Sequence, residues 1–237
     1  MLRQTATAVC SLALFLAIGW TPAGASLLQT IGKADYYNGA DKVGTYNLIY
    51  DPDAPDTVNG GTHGVAWLDY TYYDGWQNSK DWASGLNGGG TITNYVLNTG
   101  YRMNWNGSWR LPSTIGGDSP GDYPPLPTSS EMAHLYYAED VGAWRASPFE
   151  LLKMSPYFSG TEYTAQPGTA WTFDFYGGRF GGGQNPILEY SNNYAMAVRS
   201  GELESAPAVP EPSTYALFCI GLGAVGFFRK KTVKSEG

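Results

Sequence analysis

Each end of the chain carries a segment that is typical of targeting rather than of a globular core, and together these segments limit what can fold. Near the N-terminus, one cation (Arg3) precedes an apolar stretch from Ala8 to Trp20, and Ala23-Gly24-Ala25 follows. This order predicts a secretory signal peptide over residues 1–25 that is cleaved between Ala25 and Ser26. About 185 residues then remain before the C-terminal segment, which is enough for a single well-buried domain.

The C-terminal segment combines a Pro-rigidified polar motif, a short apolar run and a basic stop. Pro210-Glu211-Pro212 comes first, residues 215–228 are apolar, and Arg229, Lys230 and Lys231 end the run. These 14 apolar residues are fewer than the roughly 20 that span a bilayer untilted, and the cations fit a cytoplasmic stop. We therefore predict a linker over residues 202–208, a membrane-inserted helix within residues 209–231, and a cytoplasmic tail over residues 232–237.

Cysteine content and charge restrict the chemistry of the exported body. The two cysteines, Cys10 and Cys219, both lie in the end segments, so the body contains none. A disulfide framework, a thiolate nucleophile and a cysteine-ligated zinc site are therefore excluded for the body. The body carries 9 cations and 19 acids, and this balance argues against nucleic acid as a partner, because phosphate binding needs a basic surface. It permits calcium, or a neutral or cationic glycan.

Local patterns in the body predict helices that come early and short strands that come late. Capping-box patterns at residues 74–77 and 128–131 predict helices that end near Leu86 and Tyr137. Pro148 at a first helical position predicts a third helix that ends near Met154. Alternating side chains predict strands at residues 45–50, 64–70, 158–163, 170–176 and 194–199, whereas residues 91–106 fit irregular structure or a short hairpin. This separation predicts a single α+β domain with an antiparallel sheet and short capped helices.

The polar stretch from Asp51 to Asp56 is predicted to end the first of these strands, because its two prolines cannot donate to a sheet. Its three acids would suit calcium, but the stretch lacks the Gly turn and the distal Glu of an EF-hand loop. A solvated turn is the preferred interpretation. His134 is interpreted as a half-buried structural histidine, because no Ser-His-Asp or His-x-x-x-His pattern accompanies it.

Three ordered blocks of the body resemble a known family of domains. They comprise residues 64–70 with 76–83, residues 109–112 with 128–136, and residues 158–163 with 170–175 and 193–199. Over about residues 45–201 they resemble the Lcl C-terminal-like domain family, named after the C-terminal domain of a collagen-like bacterial adhesin. The resemblance implies that residues 26–201 form an α+β domain related to C-type-lectin-like and formylglycine-generating-enzyme folds. The adhesin's domain is associated with binding of sulfated glycans, and the copper-and-thiol chemistry of formylglycine-generating enzymes is excluded here by the lack of cysteine.

The C-terminal segment resembles the PEP-CTERM sorting signal, through Pro210-Glu211-Pro212, the apolar span and the basic stop. The resemblance implies processing by an exosortase in a Gram-negative bacterium that makes exopolysaccharide. The chain would cross the inner membrane, remain inserted there by its C-terminal helix until it is processed, and then reach the cell surface or the extracellular matrix. A permanent membrane anchor is the alternative.

Three charged residues lie inside apolar or aromatic motifs, namely Arg110, Glu162 and Arg199. A charge in such surroundings is costly unless it is paired. We hypothesise that Glu162 pairs with Arg110 or with Arg199 as part of the scaffold and not of any catalysis. No catalytic residue and no metal ligand is assigned.

Four other residues are candidates for contact with a ligand. Trp105 and Trp144 lie in polar contexts, where an exposed indole can stack on a sugar ring. Asp118 and Asp122 lie in a Gly/Pro loop and fit either calcium ligands or plain turn residues, of which the turn is preferred. No cofactor is expected, and calcium is the one ion considered.

Taken together, these patterns predict a non-catalytic protein of the cell envelope or extracellular matrix that binds a glycan, exopolysaccharide or another surface component. One alternative is an enzyme that acts on polysaccharide through paired carboxylates. The pairs considered are Asp69 with Asp74, Glu131 with Glu139, and Glu162 with Asp174. The other alternative is a purely structural matrix protein without a specific ligand.

Overall fold

The computed structural model describes residues 27–56, 62–114, 130–142, 148–176 and 182–205. Within these residues the chain forms mostly strands, with two short helices. In chain order the elements are β1 (Gln29–Asn38), β2 (Asp41–Pro55), β3 (Thr62–Asp74), α1 (Trp76–Gly85), β4 (Ile92–Leu97), β5 (Tyr101–Trp105), α2 (Glu131–Tyr137), β6 (Pro156–Glu162), β7 (Thr169–Asp174), β8 (Gln184–Leu188) and β9 (Asn193–Ser205). The expected α+β class is confirmed in a sheet-rich form.

One sheet joins the described strands in the order β4-β1-β2-β3-β9-β6-β7-β8. Neighbouring strands are antiparallel except β6 and β9, which meet in parallel at Tyr157 and Tyr194. The last strand, β9, connects two regions: residues 193–200 pair with β3, and residues 201–205 pair with β5. Residues 91–106, for which irregular structure or a short hairpin was predicted, form neither: β4 pairs with β1 and β5 pairs with β9.

The central strands are buried on both faces, which explains their nearly continuous apolar runs. Because side chains alternate between faces of a strand, Leu48 and Leu68 join one apolar cluster while Ile49 and Trp67 join the other. Helix α1 covers the first cluster, and α2 covers the second with Met132, Ala133 and Leu135. The domain is thus a sheet with one short helix on each face.

Both predicted capping boxes differ from the structure, although both helices are present. Helix α1 has Gly75 as its N-cap without a side-chain cap, because the Asp74 carboxylate accepts from the Gly75 amide instead. Helix α2 begins two residues later than the box implied, with Ser130 as the N-cap accepting from the Ala133 amide. Glu131 is therefore the first helical residue, and its carboxylate is free to bind elsewhere in the fold.

The third predicted helix, over residues 148–154, is wrong. This segment has no helical residues among those described, and its backbone amides at Glu150 and Leu151 donate to the buried carboxylate of Asp69 at 2.9 and 3.1 Å. The amides that would have started this helix instead donate to the Asp69 carboxylate. Burying that carboxylate without hydrogen-bond partners would cost free energy.

Two predicted strand ends are also wrong. Strand β2 does not stop at Tyr50 but continues through Asp51 and Asp53 to Pro55. The ladder with β3 shifts register between Asp51 and Ala54, and this irregularity accommodates Pro52. Strand β9 continues to Ser205, so residues 202–205, which we predicted to be linker, belong to the sheet.

Among the residues that the structure describes, no helix is long and apolar enough to cross a membrane. The predicted signal peptide and the predicted C-terminal helix both lie outside the described residues.

Candidate functional site

Four ionisable side chains meet between β2 and the C-terminal end of α2. Asp51 and Asp53 come from β2, His134 from the last turn of α2, and Glu139 from the segment that follows. One ligand atom from each residue lies within 4.8 Å of those of the others. We call these four residues the acid–histidine cluster.

His134 stands at the centre of the acid–histidine cluster. Its Nε2 atom lies 3.5 Å from Asp51 Oδ1, 3.5 Å from Asp53 Oδ1 and 3.7 Å from Glu139 Oε1. The His134 Nε2, Asp53 Oδ1 and Asp51 Oδ2 atoms are buried and have no hydrogen-bond partner among the described residues. Three carboxylates therefore converge on one nitrogen without hydrogen bonds to it.

The irregular end of β2 places the two aspartates. In a regular strand the backbone would keep pairing with β3, but here Asp51 pairs with Val65 and the next pair is Ala54 with His63. Gly64 lies opposite this irregularity, and a Cβ there would clash with the Tyr50 hydroxyl and lie 2.5 Å from the Gly201 carbonyl oxygen. Close approach of the Tyr50 side chain and of the Gly201 backbone thus favours glycine at this position.

The end of α2 places the other two residues. The His134 carbonyl accepts from the Ala138 and Glu139 amides at 2.8 and 3.1 Å, and Asp140 then adopts a left-handed conformation with φ 59°. This turn directs the Glu139 carboxylate back toward the sheet, where its Oε2 atom accepts from the amides of Leu27 and Leu28 at 2.7 and 3.2 Å. Glu139 therefore fixes the beginning of the described chain to the cluster.

Burial and mutual charge shift the ionisation of the acid–histidine cluster. Asp51 is fully buried, and this burial raises the pKa of its carboxyl above the usual value, with the neighbouring acids adding to the effect. Burial alone would lower the pKa of His134, but the carboxylates of Asp51, Asp53 and Glu139 outweigh it and raise that pKa. The arrangement favours a positive charge at its centre.

A second charged group lies on the same face of the sheet. Arg110 donates from two nitrogens to the two oxygens of Glu131, each at 2.7 Å. The Ser113 amide and the Ser113 hydroxyl also donate to Glu131, at 2.6 and 3.0 Å, and His63 Nε2 lies 3.3 Å away. Burial of Glu131 disfavours its charge, but these partners outweigh burial and lower the pKa of Glu131 to about 2.

The structure corrects the partner that the sequence hypothesis gave to Arg110. Its acid is Glu131 and not Glu162, and Glu162 is exposed at the end of β6. Arg199, the other proposed partner, donates from Nε to the Gly107 carbonyl at 2.7 Å, and its guanidinium lies 4.6 Å from the Trp105 ring centre. Glu131 and Arg110 lie in separate segments of the sequence, so no local pattern indicated that they would pair.

The predicted ligand-contacting residues divide between a packed cluster and the undescribed parts of the chain. Trp105 is half-buried, with ring contacts to Tyr95 and Trp109 at 5.6 and 6.0 Å in addition to Arg199. The other residues singled out from the sequence lie outside the described residues: Trp144, Asp118, Asp122, Ala25, Ser26, Pro210, Glu211, Pro212, Arg229, Lys230 and Lys231.

Sequence reasoning did not assemble the acid–histidine cluster. The acids of the Asp51–Asp56 stretch were considered for calcium and His134 for a structural role, while Glu139 was considered only as a partner of Glu131. The one signal of the cluster in the sequence was the pair of acids Asp51 and Asp53, two residues apart directly after a predicted strand. Their proximity to residues more than 80 positions later depends on how α2 packs against β2.

Comparison with protein families identifies the C-terminal segment. Residues 208–231 match the family described as the PEP-CTERM protein-sorting motif. The match indicates an exported protein that is sorted by an exosortase, with membrane-anchored sorting before cleavage. Comparison with curated proteins gave no match, and comparison with solved structures gave none either.

Proposed function

We propose that this chain is a non-catalytic protein of the cell surface or extracellular matrix, whose sheet domain binds an extracellular glycan or exopolysaccharide. The sorting motif over residues 208–231 supports delivery to the outside of the cell, where such ligands are found. The resemblance of residues 45–201 to Lcl C-terminal-like domains, and with it a C-type-lectin-like fold, stays a prediction that agrees with this function.

The observation that carries the proposal is a group of exposed tyrosines beside the start of α1. Tyr73 is 56% exposed and Tyr190 is 79% exposed, although both are large aromatic residues. The Tyr73 ring contacts that of Tyr194 at 4.9 Å, and Tyr190 lies beside Gly75, which follows Tyr73 by two residues. Aromatic rings with a polar hydroxyl suit the apolar faces and hydroxyl groups of sugars.

A separate cleft favours binding over hydrolysis. The cleft has a volume of about 290 Å³ and is lined by cations, hydroxyls and backbone: Lys80, Ser84, Arg110, Leu111, Ser113, Gly160 and Thr161. A glycosidase needs two carboxyl groups facing the scissile bond, and none of these lining residues is an acid. The cleft can therefore hold a polar group of a ligand, and its lining among the described residues offers no acid pair.

Three of the six acids that we considered for catalytic pairs are held by other groups. Asp69 accepts the Glu150 and Leu151 amides, Asp74 accepts the Gly75 amide, and Glu131 is bound by Arg110. A carboxylate that is held this way is not available to protonate a leaving group or activate water. These contacts support a binding role over the polysaccharide-acting enzyme, which remains the alternative together with a purely structural matrix protein.

Glycan-array binding by the full-length chain in detergent, with and without calcium, tests the proposal. We expect binding to at least one extracellular polysaccharide, and at least a tenfold loss of affinity in a Tyr73→Ser, Tyr190→Ser double variant. Val96→Ser is the matched control, because Val96 is a comparably exposed apolar residue on the distant strand β4. Absence of binding to every glycan would overturn the proposal and leave the structural matrix protein.

A further inference from the structure

We infer that Asp51, Asp53, His134 and Glu139 bind one divalent transition-metal ion, for which Zn²⁺ is the best match, and that this ion stabilises the exported domain. The inference is independent of glycan binding. It rests on the charge, the geometry and the unsatisfied atoms of the acid–histidine cluster.

The charge of the cluster favours a bound cation. Asp51 and Asp53 have no Lys or Arg ion-pair partner among the described residues, and the one basic group near them is the His134 imidazole. Three carboxylates around one imidazole leave a net negative charge even if the imidazole is protonated. Burying uncompensated charge costs several kcal/mol per ion. A bound cation would compensate the negative charge that the protein groups alone leave.

The His134 ring provides an observation that is independent of the acids. Its side chain is only 10% exposed, and its Nε2 atom points at all three carboxylates without a hydrogen-bond partner among the described residues. Buried polar atoms in folded proteins nearly always have a partner. A nitrogen that is buried, unsatisfied and aimed at three carboxylate oxygens is the arrangement expected of an imidazole ligand.

The separations fit ligands around an ion better than hydrogen bonds. The three distances from Nε2 to carboxylate oxygens are 3.5, 3.5 and 3.7 Å, whereas good N–H···O bonds are about 2.7–3.2 Å long. Two ligands of a tetrahedral zinc ion with bonds of about 2.1 Å are separated by roughly 3.4 Å. A small movement of each side chain toward a common centre would complete the site.

The donor set selects the class of metal. Calcium takes six to eight oxygen ligands and magnesium keeps several waters, whereas an imidazole together with three carboxylates suits zinc, and manganese as the next candidate. The cluster also has the outer hydrogen bonds that orient metal ligands. Glu139 Oε2 accepts the Leu27 and Leu28 amides, which leaves Oε1 to face His134.

The consequence for the fold is a link between three parts of the chain. The ion would join the end of β2 to the end of α2, and through Glu139 it would fix the segment that leads into β1. This body contains no cysteine and hence no disulfide to stabilise it outside the cell. Metal binding to the folded state alone adds directly to its stability.

Metal content and metal-dependent unfolding of the full-length chain in detergent test the inference. After chelation, we expect about one equivalent of Zn²⁺ to bind and to raise the unfolding temperature by several degrees, with a smaller effect of Mn²⁺ and little effect of Ca²⁺ or Mg²⁺. Asp53→Asn changes a ligand whose side chain is 41% exposed, so the fold should persist while Zn²⁺ affinity falls at least tenfold. His63→Gln alters the other histidine and should leave Zn²⁺ binding unchanged.

A further variant separates metal binding from folding. Asp51→Asn removes one buried charge, so its metal-free form should unfold at a higher temperature than metal-free wild type, while its Zn²⁺-induced shift should be lost. The inference is overturned if Zn²⁺ and Mn²⁺ leave the wild-type unfolding temperature unchanged. It is also overturned if Asp53→Asn and His63→Gln respond equally to Zn²⁺, since the cluster would then be a protonated histidine among acids only.

Discussion

The buried charge of Glu131, on the α2 face of the sheet, depends chiefly on its counter-ion Arg110. Glu131 is fully buried, and its two oxygens accept hydrogen bonds from two nitrogens of the Arg110 guanidinium. This bidentate geometry is among the strongest that a carboxylate makes. Arg110 is 35% exposed on its side chain and can reach water if it loses its partner, but Glu131 cannot. The two members of the pair are therefore unequal, and removal of the arginine is the more damaging change.

Replacement of Arg110 by methionine should lower the free energy of unfolding by about 3–5 kcal/mol, because it leaves a buried carboxylate without its counter-ion. Urea unfolding monitored by tryptophan fluorescence measures this change. Arg102→Met is the matched control, since Arg102 is exposed on β5, and it should change stability by less than about 0.5 kcal/mol. Equal effects of the two variants would contradict the role given to the Arg110–Glu131 pair.

The same pair predicts how stability changes with pH. The pKa of Glu131 is lowered from 4.5 to about 2 in the folded protein. Its contribution is therefore complete above about pH 4.5 and is lost as the pH falls toward 2, in total about 3 kcal/mol. Urea unfolding between pH 6 and pH 2.5 should show this acid-side loss, and Glu131→Gln should lose less stability over the same range. Parallel pH profiles for wild type and Glu131→Gln would show that the pair is not responsible.

At the level of elements, the contact among β2, β3 and β9 decides where the acids of the acid–histidine cluster lie. Gly64 of β3 faces the irregular part of β2 and approaches the Gly201 carbonyl of β9. Both β2 and β9 are held there by ladder hydrogen bonds to β3. A side chain at position 64 has no room unless one of these strands moves.

We expect Gly64→Ala to destabilise the domain by about 1–3 kcal/mol, because the added methyl group overpacks a contact between backbones. Gly85→Ala is the control: a Cβ there meets nothing within 4 Å, and alanine in a helix is favoured over glycine by about 1 kcal/mol. Thermal unfolding of both variants gives the comparison. If Gly64→Ala is as stable as wild type, the close approach of β2, β3 and β9 is not a constraint on the fold.

On the scale of the whole molecule, the described domain and the C-terminal sorting motif are separate parts of the chain. The sheet domain spans both apolar clusters and ends at Ser205 in β9. The sorting motif begins at residue 208, directly after this strand. Removal of the C-terminal segment would therefore leave every described strand intact.

We expect the dominant mature form to lack the segment from Tyr215 to Gly237, because the sorting motif directs exosortase processing. Mass spectrometry of the protein from the cell-surface and medium fractions of its native host measures this directly. Glu211→Ala, inside the motif, should retain the segment, whereas Glu236→Ala, in the terminal tail, should be processed normally. A dominant wild-type species that still contains residues 215–237 would instead support a permanent anchor.

The sequence by itself determined the features that depend on local order. The sorting segment, the two helices and five of the nine described strands follow from motifs and from alternation over a few residues, since these patterns reflect what each segment can bury. The sequence could not show that Asp69 uses the amides of a predicted helix, or that β2 continues past Asp51. Both results depend on a partner that is distant in the chain.

Only the tertiary structure decided how the charges combine. Arg110 pairs with Glu131 because α2 begins at Glu131 and packs beside the segment that carries Arg110, so local motifs that favoured Glu162 were misleading. Asp51, Asp53, His134 and Glu139 meet because the end of α2 lies on the end of β2. The physical reason is the same in both cases: a buried charge is stabilised by whichever opposite group the packing brings near it, and packing is set by the apolar faces of the sheet.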